Sequence, residues 1–353
     1  MTKLSTLAAV LALFAGVLGH PSTPEGIRAA LETRSRVTAH SRRALEKCAN
    51  DPEALALRDR AVARRAAKAH ALRTKRGLDS SLVRRADRES LEKWSDISHN
   101  QSSKGYKLDT ALKTIFTSNA TCTLVPETII GPYYVEGERI RTNLTDGQAG
   151  AATHLDFQFI DINTCKPIPE LIIDIWHANA TGVYSGVSAK GQGGLDSTHG
   201  RGVQKTDKEG VVQFDTVFPG HYVGRTNHFH VMSTTGAKVL PNGTFQGGTA
   251  QHIGQTYFDE ALIKAVEAGE PYNQNKQPAT SNAEDGNSAD EATPEYDPFM
   301  NYVYLGEQPS DGLLLWTTIA IDPAADYNRH RTAAAHWHPE GGVDQSHRRG
   351  SPK

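Results

Sequence analysis

Between about residues 154 and 321 the apolar positions recur with the period of a pleated strand. His154-Leu155-Asp156-Phe157-Gln158-Phe159-Ile160-Asp161-Ile162 alternates polar and apolar, as a half-buried strand does, and Gly210-Val211-Val212-Gln213-Phe214-Asp215 alternates again. Leu171–Trp176 and Leu313–Ile321 are more continuously apolar, and Phe229–Ser233 follows a Pro-Gly turn. Turn residues such as Thr206-Asp207-Lys208-Glu209-Gly210 separate these runs, which predicts an all-β fold, a β-sandwich with short helices and long loops. One short helix is expected between Tyr257 and Ala268. The stretch Pro271–Pro298 is polar and reads as a long surface loop, and residues 324–353 read as a flexible tail.

The pattern differs upstream. Asp51-Pro52-Glu53 combines an N-cap, a proline at the first helical position and an acidic first turn. It opens a helical stretch, Ala54–Thr74, with a thin apolar stripe. This stretch is basic and ends at Lys75-Arg76, a dibasic pair with a second at Arg84-Arg85. Residues 20–76 are therefore expected to be either a propeptide or a permanent helical arm that mediates dimer contacts. Residues 77–103 form a linker and 104–323 the catalytic domain. Residues 1–19 have a charged start at Lys3, an apolar run from Leu4 to Leu18 and a small-residue site at Val17-Leu18-Gly19. That is the form of a secretory signal. No later run is apolar enough to span a bilayer.

Composition refines this picture. The formal charge of −2 over 353 residues argues against a general nucleic-acid binder. Three cysteines are too few for a disulfide-built scaffold. Cutting at Arg76 would remove Cys48 and leave Cys122 and Cys165, an even pair expected to be bridged in an oxidising compartment. Sequons at Asn100, Asn119, Asn143, Asn179 and Asn242 fit a secreted glycoprotein.

The candidate chemistry gathers at Pro219-Gly220-His221-Tyr222-Val223-Gly224-Arg225-Thr226-Asn227-His228-Phe229-His230. On a strand His228 and His230 project to the same face, so both can reach one metal ion, and the Pro-Gly turn can fold Tyr222 back to the same point. Tyr184 follows a glycine turn in Trp176-His177-Ala178-Asn179-Ala180-Thr181-Gly182-Val183-Tyr184. Two phenolates and two imidazoles without cysteine favour trivalent iron over zinc or an iron–sulfur cluster. Two decoys stand beside this set. His336-Trp337-His338 is a second His-x-His, but without a strand pattern, and His177 and His199 read as supporting or surface residues.

With Gly131-Pro132-Tyr133-Tyr134 and Thr206-Asp207, these motifs make the sequence resemble the intradiol ring-cleavage dioxygenases, in their secreted fungal branch, over about Glu127–Pro323. The resemblance implies a non-haem Fe(III) held by Tyr184, Tyr222, His228 and His230 in a β-sandwich. It implies a catechol-type aromatic diol and O2 as substrates and a muconate-type diacid as product. Tyr222 then corresponds to a ligand that doubles as base, Arg225 to the arginine that stabilises negative charge on the substrate, and Gln251 to the active-site glutamine. Of Tyr133 and Tyr134, one lines the substrate pocket or both pack in the core. The competing readings are a non-catalytic secreted β-sandwich binding module and a cupin-type metal site. The cupin would need a glutamate shortly after His230, which is absent.

Overall fold

The computed structural model describes Cys48 and residues 50–78, 130–291 and 297–345. In chain order the elements are α1 (Pro52–Lys75), β1 (Val135–Glu136), β2 (Ala152–Asp161), β3 (Ile172–Trp176), β4 (Arg201–Lys205), β5 (Val211–Val217), β6 (His228–Thr235), β7 (Lys238–Val239), β8 (Phe245–Gln246) and β9 (Thr249–Tyr257). They continue with α2 (Glu260–Glu267), α3 (Gly286–Glu291), β10 (Asn301–Tyr304), β11 (Leu313–Ile321), β12 (Ala335–His336) and β13 (Val343–Asp344).

Two four-stranded sheets face each other, one in the order β10-β11-β2-β5 and the other β4-β3-β6-β9. Within these two sheets the pairings are antiparallel except β11 with β2. The alternate positions Leu155, Phe157 and Phe159 of β2 and Leu313, Leu315 and Ile319 of β11 meet Ile173, Ile175, Phe229 and Val231 of the second sheet in one core. The expected β-sandwich is thus the observed architecture.

The strand 154–162 is expected to be half-buried, yet two of its polar positions are buried: Asp156 and Gln158 are 0% and 2% exposed, while His154 and Asp161 are half-buried. The cause is α1. Asp51 accepts from Ala54 N at 2.8 Å, closing the predicted N-cap. The apolar stripe Leu57, Val62, Ala69 and Leu72 then lies on Ile160, Ile162, Leu314, Trp316 and Ala320, the outer face of the first sheet. Arg64 donates to both carboxylate oxygens of Asp156 at 3.0 and 2.9 Å, and Arg65 donates to Oδ1 at 2.9 Å. Burial alone would raise the Asp156 pKa, but the two guanidiniums hold it well below the usual carboxylate range.

The expected bridge between Cys122 and Cys165 is corrected here. Cys165, in the turn after β2, is bonded to Cys48 at the head of the arm, 117 residues away and with 5.5 Å between Cα atoms. Cys122 lies outside the described residues, as do residues 1–19, most of the 77–103 linker, Asn100 and Asn119. The arithmetic failed because it removed Cys48 with a segment that is packed on the sheet.

Two further expectations change. The C-terminal residues 324–345 are a strap rather than a loose tail. Tyr327 N donates to Ala250 O, Ala334 N to Tyr134 O, and β12 pairs in parallel with β1 and antiparallel with β13. The Pro271–Pro298 loop is also pinned down. Tyr272 is 2% exposed and its hydroxyl donates to Phe218 O at 2.8 Å, while Asp285 is fully buried. The predicted short helix is α2, capped by Asp259. Among the described residues no helix is long and apolar enough to cross a membrane.

Candidate functional site

The site lies on the outer face of the second sheet, at the β6 end that the strap and the loops cover. Strand alternation sends Phe229 and Val231 into the core and His228 and His230 outward. The Asn179–Tyr184 turn folds back because the Asn179 side-chain oxygen accepts from Thr181 N and Val183 N, each at 3.0 Å. Gly182 makes that turn possible. It sits at φ +77°, and a Cβ there would come within 2.2 Å of His221 O. The turn delivers Tyr184, 1% exposed, to the histidine pair.

Four polar atoms converge. Nε2 of His228 lies 3.4 Å from Tyr184 Oη, 3.3 Å from Tyr222 Oη and 3.2 Å from His230 Nε2. Nδ1 of His228 donates to Thr226 O at 2.6 Å, which leaves Nε2 as the bare nitrogen pointing at the cluster. Burial, then Arg225, pushes both imidazole pKa values well below the ordinary value, so these rings are neutral. Burial, and for Tyr184 the neighbouring Tyr222, pushes the phenols up. A cation at the centre would reverse the phenol shifts, because it stabilises phenolate directly. The donor set therefore fits the Fe(III) that the sequence motifs imply: neutral imidazole nitrogens and ionisable oxygens, spaced as ligands of one small ion. Among the described residues no group of three or more His, Cys, Asp and Glu could hold a metal. Any ion held here would need the phenols.

Arg225 closes one side. Nη1 donates to Tyr222 Oη at 3.3 Å, Nη2 to Tyr257 Oη at 3.2 Å and to Gln255 Oε1, and Nε to the carboxylate of Asp285. Burial works against the charge, but Tyr222, Tyr257 and Asp285 outweigh it and raise the Arg225 pKa. Behind the cluster Trp176 stacks on His230. Gly131, at φ +80°, lies so close to the same ring that a Cβ would come within 2.9 Å of His230 Cε1.

The structure separates the two tyrosines of Gly131-Pro132-Tyr133-Tyr134. Tyr133 is half-buried with its ring 4.9 Å from that of Tyr184, so it borders the site. Tyr134 is buried against Trp176 at 5.2 Å and accepts from Arg331 Nε at 3.3 Å, so it packs behind the site. Gln251 is not brought to the cluster. Its amide donates to Pro323 O, and it lies four residues along β9 from Gln255, at the bulge in the strand. The glutamine facing the site is Gln255, registered opposite His230, with Tyr257 opposite His228.

Trp176, Gln255, Tyr257 and Asp285 were missed by the sequence reading. The even spacing of Gln255 and Tyr257 on one strand was the available signal, but only the pairing of β9 with β6 gives it meaning. His177 proves to be a core residue, held by Ala178 O and Thr216 Oγ1 at 2.8 and 2.7 Å. Burial pushes its pKa down to about 3.

The family described as Dioxygenase matches residues 129–238, which contain all four converging side chains and Arg225. An intradiol ring-cleavage dioxygenase from Tetranychus urticae is 32% identical over 59% of this chain and 98% of that one, with a TM-score of 0.49. A second solved dioxygenase is 31% identical with the same coverage and TM-score. A catechol 1,2-dioxygenase from Pseudomonas arvilla C-1 is 21% identical over 58% of this chain and 66% of that one, with a TM-score of 0.38. No curated protein matches the chain.

Proposed function

The chain belongs to the intradiol ring-cleavage dioxygenases, and from that membership we propose that it is a secreted, Fe(III)-dependent enzyme acting on a catechol-type diol. It cleaves the ring between the two hydroxyl-bearing carbons with O2 and yields a muconate-type diacid. The observation that carries this reading is the convergence of Tyr184, Tyr222, His228 and His230 on one point, with 3.2 to 3.4 Å between His228 Nε2 and its three neighbours.

Tyr184, Tyr222, His228 and His230 would hold the metal. When bound, Fe(III) acidifies the diol hydroxyls and couples the diol to O2. Tyr222 is the more accessible of the two phenols, half-buried where Tyr184 is enclosed, and as phenolate it accepts a proton from a diol hydroxyl. Arg225 donates to the Tyr222 oxygen and supplies a fixed positive charge beside the ring as negative charge develops on it. Tyr133 supplies one aromatic wall. Trp176 and Gly131 hold the His230 ring in place from behind.

Secretion is supported by the leader-like residues 1–19 and by the Cys48–Cys165 bond, which belongs to an oxidising compartment. The test is the visible absorption spectrum of the purified, iron-loaded protein before and after anaerobic addition of catechol. A tyrosinate-to-iron charge-transfer band that shifts with catechol is the expected result. A protein that stays colourless after Fe(III) loading overturns the reading.

A further inference from the structure

The acidic stretch Glu284–Glu295 has the composition of a solvated loop, yet Asp285 within it is 0% exposed. Its carboxylate accepts from Arg225 Nε through both oxygens, at 3.1 and 2.9 Å, and from Thr226 N at 2.9 Å. It also caps the start of α3, accepting from Asn287 N at 2.9 Å and Ser288 N at 3.3 Å. The loop between α2 and β10 thus places a carboxylate against the edge of Arg225 that faces away from Tyr222.

We infer that Asp285 is a positioning residue that sets the rotation of the Arg225 guanidinium and so aims Nη1 at the Tyr222 oxygen. A guanidinium is a rigid planar fork, so fixing Nε on one side and Nη2 on Gln255 and Tyr257 determines where Nη1 lies. Without the carboxylate the long side chain regains rotamers, and a buried cation loses its counter-charge. The same carboxylate holds Thr226 N, and Thr226 O in turn orients the His228 ring. One residue therefore ties the loop between α2 and β10 to both Arg225 and His228.

The inference rests on the dioxygenase reading of that cluster. The experiment compares full-length, iron-loaded wild type with D285N, D285E, R225A and the double variant R225A/D285N. It records catechol-dependent O2 uptake, the visible spectrum and the melting temperature. Asparagine keeps one acceptor oxygen, enough for the Asn287 and Ser288 N–H groups that share Oδ1, and removes both the charge and the second oxygen that Thr226 N uses. For D285N we expect kcat to fall about 10- to 100-fold, with a smaller change in KM and a shifted charge-transfer band. D285E is intermediate. In the R225A background D285N adds much less than it costs alone, because Asp285 acts mainly through Arg225 and only its Thr226 contact remains.

D285N that turns over like wild type, or losses that simply add in the double variant, overturn the inference. Should D285N fail to fold, D285E carries the test: wild-type turnover, or a loss as large without Arg225 as with it, overturns it. A wild type that is colourless and consumes no O2 overturns the dioxygenase reading and this inference with it. A coloured, active wild type with an unaffected D285N overturns the inference alone.

Discussion

Trp176 lies flat against His230, with ring centroids 4.8 Å apart and planes 6° from parallel. The two residues are directly paired across β3 and β6, so the stack is part of the sheet register. Among the described residues His230 Nδ1 has no hydrogen-bond partner, and ring orientation is therefore set by packing where most ligating histidines use a second hydrogen bond. For W176A we expect iron affinity to fall about 10- to 100-fold, the range typical of lost support around a metal. W176F, which keeps an aromatic face, is expected to fall less. Iron content after graded chelation, read alongside the visible band, checks this.

Gln255 and Gln251 offer a clean contrast on one strand. Gln255 touches Arg225 and accepts from the Tyr257 hydroxyl at 3.0 Å, whereas Gln251 ties β9 to Pro323. Q255A is expected to lower kcat by up to about 100-fold through a misaligned Arg225. Q251A is expected to leave kcat unchanged and to cost about 1–3 kcal/mol of stability for an orphaned carbonyl. Parallel O2-uptake kinetics and thermal melts distinguish the two.

The arm contributes a pH dependence whose sign follows from Asp156. Its pKa in the folded protein is depressed by Arg65 and Arg64 against the effect of burial. The stabilisation is therefore fully present above the unfolded value of about 3.9 and is lost as pH falls toward the folded value. D156N should destabilise the protein at neutral pH by about 3–5 kcal/mol, since it strands the buried Arg65 guanidinium and takes the two-point partner from half-buried Arg64. It should also flatten the acid limb of the stability profile below about pH 4. Chemical denaturation of wild type and D156N across pH 2 to 7 (about the range over which carboxylates titrate) provides the comparison.

Glycan attachment should differ among the three sequons in the described residues. Asn143 and Asn242 are exposed, while Asn179 donates through Nδ2 to Gln148 at 2.9 Å and holds the turn that delivers Tyr184. A sugar on that nitrogen would remove a donor from the fold. Peptide mapping of protein expressed through a glycosylating secretory host is expected to find Asn143 and Asn242 occupied and Asn179 bare. N179A should weaken the visible band, an effect that removing a surface glycan alone would not produce.

The four converging residues were legible in the sequence because each is announced locally. His228 and His230 follow from strand alternation, Tyr222, six residues upstream of His228, from a Pro-Gly turn, and Tyr184 from a glycine turn. Residues brought in by long-range pairing were not legible. Gln255 faces His230 only through the β6–β9 register, which shifts by a bulge at Ser233/Thr234, and the family resemblance pointed to Gln251 instead. Asp285 was hidden by composition: an acidic residue among Glu, Asn and Ser looks solvated until Arg225 is placed beside it. The same blindness affected Asp156, whose alternating strand gave no sign that α1 covers the outer face.

The bond between Cys48 and Cys165 straddles the dibasic pair Lys75-Arg76. A protease that cut after Arg76 would open the backbone and yet free nothing. Residues 48–76 would stay fastened to the enzyme by one covalent link, with the new end still held where Arg76 meets Asp311 O. Maturation at that site would produce a two-chain molecule that migrates as one band until a reductant parts it, and a fragment counted as lost on a reducing gel would still be lying across the sheet.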